Sequence, residues 1–80
     1  DYELMVGIIG TALILIGFIL NQIGVWKTSS FSYDLINLFG GAVLIYYALL
    51  LSSIPFLVLN TVWVVVSLKD VLRSCIKKIF

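Results

Sequence analysis

MVGIIGTALILIGFILNQIGVW, Met5 to Trp26, holds 22 consecutive positions without a charged residue. At about 1.5 Å per helical residue, such a run crosses a hydrocarbon core about 30 Å thick. Outward from it the pattern repeats. Lys27, Thr28, Ser29 and Ser30 form a short polar break, and Tyr33 to Leu51 is a second apolar stretch interrupted only by Asp34. Ser52, Ser53, Ile54 and Pro55 read as a tight turn. Pro55 falls in the first turn of a third helix, where its missing N–H leaves no bond unmade. The third stretch, Pro55 to Leu68, is short, and Lys69 extends it by snorkelling. The three helices are expected over about 5–26, 33–51 and 54–70.

The whole composition agrees with lipid as the solvent. The 80 residues are 62% hydrophobic and only 11% charged, with a mean hydropathy of +1.22. A soluble domain of this length carries far more charge, in amphipathic patterns. Backbone groups in lipid must be satisfied within the chain, so the spans are helices, not an open sheet. Eighty residues are too few for a barrel. The β-branched run Val62 to Val66, a strand signal in water, is read here as helix. The fold class is an all-α membrane protein with three transmembrane helices in one unit, 1–80.

Charge placement sets the expected orientation. All five basic residues (Lys27, Lys69, Arg73, Lys77 and Lys78) fall on one side if three spans are threaded, and Asp1 and Glu3 fall on the other. The positive-inside rule then puts the N-terminus outside and the C-terminus in the cytoplasm. The run from Met5 reads as a span and not as a cleaved leader, because it lacks a basic n-region. Residues 70–80, with Arg73, Lys77 and Lys78 against Val71, Leu72, Ile76, Ile79 and Phe80, read as a basic amphipathic tail on the inner leaflet. Nucleic-acid binding is a poor match for so oily a segment. Cys75 is the single cysteine, so no intrachain disulfide is available.

Small and polar residues recur by sevens. Gly10, Gly17 and Gly24 do so on the first span, with Gly7 one turn before. Gly41 and Ala48 do so on the second, and Ser53, Asn60 and Ser67 on the third. In lipid such stripes mark where helices approach closely. On the second helix Asp34, Asn37, Gly41 and Leu44 share one face. Asp34 stands in the first turn after Ser32, a candidate N-cap, at the interface where it need not be buried. Asn60 lies near mid-membrane, and its carboxamide has two donors and an acceptor to satisfy. It is either a helix–helix clamp or a solute ligand. Trp63 either fills the bundle or stacks on a ligand. With no His, no metal-ligand cluster, no phosphate loop and no nucleophile–base pair, neither an enzyme nor a cofactor protein is indicated.

Three short helices, Asn21-Gln22 near the inner end of the first, Tyr47-Ala48, Pro55 and then Asn60: this resembles the SemiSWEET and PQ-loop superfamily. The resemblance runs from Gly7 to Val71. Asn21-Gln22 stands where that family has Pro-Gln, and Leu44 where it has a pocket Trp. The resemblance implies a bacterial inner-membrane half-transporter that pairs as a parallel homodimer. Helices would lie in the spatial order 1-3-2, around a pocket lined by Asn60, Leu44, Tyr47 and Trp63. Asn21, Gln22 and Asn37 would form the inner gate or hinge. The expected cargo is a small neutral solute, a sugar or similar, because no charge is expected in the pocket. On this reading Asn60→Ala abolishes uptake and spares folding. The competing expectation is a non-transporting accessory or assembly subunit that holds a partner with the same stripes. A lytic pore-former is a third.

Overall fold

A computed structural model describes residues 1–79, with side chains to Lys78; Phe80 and the side chain of Ile79, both counted in the expected tail, lie outside the described residues. Three helices run up and down: α1, Tyr2–Gln22; α2, Phe31–Leu51; and α3, Ile54–Ile79. All three are long and apolar enough to cross a membrane. The chain is an integral membrane protein on that ground.

Each helix end has a local cause. The Asp1 carboxylate caps α1 by accepting from the Glu3 N–H at 3.1 Å. α1 stops at Gln22, short of the expected Trp26, because Gly24 takes the left-handed conformation at φ +84°. The Gly24 N–H then donates to the Asn21 carbonyl at 3.2 Å and the Val25 N–H to the Leu20 carbonyl at 3.0 Å, the crossed pair of a Schellman ending. Gly24 is thus a turn glycine and leaves the packing stripe predicted for it. α2 is capped by Ser30, whose Oγ accepts from the Tyr33 N–H at 3.2 Å. The cap is not Ser32, which stands inside the helix. α2 ends in a second crossed pair: Ser52 N–H to Leu49 at 3.2 Å and Ser53 N–H to Ala48 at 3.0 Å. Here the left-handed residue is Ser52, at φ 54°.

α3 is longer than expected. It continues without a break through residue 70, so the basic tail is its last turns and not a separate helix. No Gly or Pro interrupts residues 69–78, and Lys and Arg are good helix formers. Its 26 residues reach about 39 Å, past the start of α2. There the Lys78 ammonium lies 5.2 Å from the centre of the Phe31 ring. At the opposite end the Tyr2 and Tyr46 hydroxyls share a hydrogen bond of 2.6 Å. All five basic residues therefore lie at one end of the bundle.

α2 is the central helix. It packs against α1 on one side and α3 on the other, whereas among the described residues no Cα of α1 comes within 8 Å of one in α3. The order in space is 1-2-3, in place of the expected 1-3-2. The doublet Gly40-Gly41 explains it. Neighbouring helical residues point about 100° apart, so the two glycines open two faces. A Cβ on Gly40 would come within 2.9 Å of Ile14 Cγ1 and 3.2 Å of Leu13 Cβ, both on α1. One on Gly41 would come within 2.7 Å of Val64 Cγ2, on α3. α1 and α3 each offer a single small or polar face. On α1 it is Gly7, Gly10 and Gly17, against Tyr47, Leu44 and Ile36. On α3 it includes Asn60, Ser67 and Val71, all buried. Among the described residues no large side chain is fully buried, and most bulky apolar residues face outward. The seams are made of small residues meeting knobs, and lipid solvates the rest.

Candidate functional site

Because α1 and α3 both lean on α2 without meeting, a cleft opens between them with α2 as its floor. Its volume is about 360 Å³. Thr11, Ile14, Leu15 and Phe18 form the α1 wall, Phe56 and Trp63 the α3 wall, and Tyr33, Asn37 and Leu44 the floor. Three expected site residues, Asn37, Leu44 and Trp63, thus meet in one cleft.

The others stand elsewhere. Asn60 is buried, but it lines neither the cleft nor the cavity beside it. Its Nδ2 donates to the Phe56 carbonyl at 2.8 Å, one turn earlier on its own helix. Tyr47 covers Gly7 of α1, where an added Cβ would stand 2.6 Å from Cζ, and meets the Phe56 ring edge-on with centroids 6.2 Å apart. It closes the seam above the cleft. Asn21 braces the first loop: its Nδ2 donates to the Trp26 carbonyl at 3.0 Å and to Thr28 Oγ1 at 3.3 Å. That bracing fixes the turn a proline would otherwise stiffen. Gln22 is exposed at the loop entry.

A second space adjoins the cleft through Tyr33, Asn37 and Trp63. It is a cavity of about 270 Å³ between α2 and α3, also lined by Asp34, Ser67 and Asp70. Asp34 is only 7% exposed. The sequence left it free to stay unburied; the fold buries it. Its i, i+3 partner Asn37 and the facing Ser67 are equally buried. This group is the part of the site that sequence reasoning placed least well. Asp34, Asn37, Gly41 and Leu44 were legible as one face of α2, but their facing partner Ser67 follows only from the packing of α3.

The chain belongs to a protein family whose model it matches over residues 4–78. No curated protein and no solved structure matches it.

Proposed function

We propose that this chain is one half of a SemiSWEET-like membrane carrier for a small solute, completed by a second copy in parallel orientation. The observation that carries the reading is the cleft: a single chain supplies a floor with Asn37 and Leu44 and two walls, one bearing Trp63, and leaves one side open. Two copies set cleft to cleft would enclose a path that neither encloses alone, and rocking of the halves would give alternating access. Polar groups held within a membrane span favour a pathway or an interface. Gathering of all basic residues at one end supports a cytoplasmic C-terminus, and the SemiSWEET resemblance implies a bacterial inner membrane. Within this carrier Asn60 and Tyr47 shape the helix seams, Asn21 holds the inner loop, and Gln22 stands at the inner mouth.

The accessory-subunit reading is favoured by two observations. Asn60 spends a donor on its own helix, and α2, not α3, is central. Under it the cleft takes a helix of another protein.

Native mass spectrometry of the chain in lipid nanodiscs separates the two. The carrier predicts a homodimer, and saturable solute counterflow in proteoliposomes that Thr11→Trp blocks by filling the cleft. A monomer, or a stoichiometric second polypeptide, would transfer the reading to the accessory subunit.

A further inference from the structure

Asp34 is the one buried carboxylate among the described residues. Removing a carboxylate from water is unfavourable unless something neutralises it or hydrogen-bonds to it. Among the described residues no ion pair or side-chain hydrogen bond does so. The one ion pair among the described residues is Lys69–Asp70, at 3.9 Å. Arg73 and Lys77 line an adjoining space toward the basic end that Asp34 and Asp70 also border, but neither forms an ion pair with Asp34. The carboxylate accepts no side-chain hydrogen bond.

Two further groups point the same way independently of charge. Asn37 and Ser67 are 6% and 7% exposed, and no side-chain hydrogen bond among the described residues involves either. No unpartnered polar atom among the described residues is sealed off, and Asn37 and Ser67 both line the cavity they share with Asp34, Asn37 lining the cleft as well. Three oxygen-bearing groups on two helices thus border one space: the Asp34 carboxylate, the Asn37 carboxamide and the Ser67 hydroxyl. The remaining wall is Thr28, Tyr33, Val62, Trp63, Val66 and a second carboxylate, Asp70, which pairs with Lys69.

We infer that this cavity binds a small primary organic ammonium, with Asp34 as its counter-ion. Three N–H donors meet three acceptors: the Asp34 carboxylate, the Asn37 carboxamide oxygen and the Ser67 hydroxyl. The positive charge also suits the face of an indole. The organic part lies against Trp63 and the valines, and about 270 Å³ is far more room than a bare metal ion needs. An inorganic cation would leave those aromatic and apolar walls without a role. The inference rests on the carrier reading for what the ammonium is there for, and it replaces a neutral solute with a cationic one.

The test is calorimetric titration of the chain in nanodiscs near pH 7 with propylammonium chloride, against 1-propanol as the neutral match and sodium chloride as the bare cation. Saturable propylammonium binding is expected, with none for propanol. Asp34→Asn should weaken it at least about tenfold and Trp63→Leu by about three- to tenfold, corresponding to roughly 0.7–1.4 kcal/mol for the latter. The wild-type comparison of the three probes stands even if a variant does not fold. Equal binding of propanol, binding of sodium that propylammonium does not displace, no saturable binding up to about 10 mM, or full affinity in a folded Asp34→Asn would each overturn it. Counterflow separates this from the carrier reading: binding without flux sinks the carrier alone, whereas flux of neutral solutes without ammonium binding sinks the ammonium site alone.

Discussion

The Asn60 carboxamide donates to the Phe56 carbonyl oxygen at 2.8 Å, closing a bond within α3 at the depth where α3 meets α2. A mid-span Asn that bonds its own backbone acts on the seam before it acts on a solute. Asn60→Ala should therefore lower stability by about 0.6–2 kcal/mol, the range of polar contacts within membranes. Reversible unfolding in a dodecyl sulfate titration reads this. A variant of unchanged stability that has lost all solute binding would return Asn60 to the solute path.

The order of helices is open to a direct chemical check. Gly17 on α1 presents its Cβ position 4.0 Å from Ile36 Cβ, and Gly41 on α2 presents its own 3.9 Å from Val64 Cβ. Both separations suit a disulfide. In a Cys75→Ser background, the pair Gly17→Cys with Ile36→Cys and the pair Gly41→Cys with Val64→Cys should each cross-link within one chain on mild oxidation. If the first pair fails while an α1–α3 pair forms, α2 is not the central helix.

Gly40 marks the part of the α1–α2 seam where an added Cβ meets the Cβ of a neighbouring helix. Leu13 Cβ, 3.2 Å from a Cβ added there, is fixed to the backbone and cannot swing aside. Gly40→Ala should push the helices apart and lower stability by about 1–3 kcal/mol. The same substitution at Ala42, already Ala and facing outward, gives no control, so Ala42→Leu serves instead and should change little. Equal losses at both positions would mean the seam is not where the glycine places it.

Ser52 holds a left-handed backbone at φ 54°, which glycine adopts without the Cβ clash. Ser52→Gly should stabilise the α2–α3 turn by about 0.5–1 kcal/mol. A loss of stability would show that the serine side chain contributes more than its backbone strain.

Cys75 is exposed and is a ready reporter of orientation. A membrane-impermeant maleimide should label it only from the cytoplasmic face of sealed vesicles. Labelling of intact cells from outside would invert the proposed topology.

Much of the candidate site was legible along α2. Asp34, Asn37, Gly41 and Leu44 fall at i, i+3, i+7 and i+10, and all four are buried together. The Gly40-Gly41 doublet offers two contact faces about 100° apart, but nothing in the sequence says which helices take them. Asn60 misled for a different reason. Its type and depth fit a solute ligand, but a side chain that can bond its own i−4 carbonyl leaves no trace of that choice in the sequence.

The sequence by itself determined the number of spans, their helical state, their up-and-down threading and the gathering of basic residues at one end. These follow from the free energy of placing charges and unpaired backbone groups in hydrocarbon, which is large and depends only on local composition. The tertiary structure alone decided which helix is central, which face of α3 meets α2, and that Asp34 turns inward toward Asn37 and Ser67. A helix apolar on nearly every side is solvated equally well by lipid at any rotation about its axis. Its rotation is fixed only by close packing against a neighbour, glycine against knob, one contact at a time.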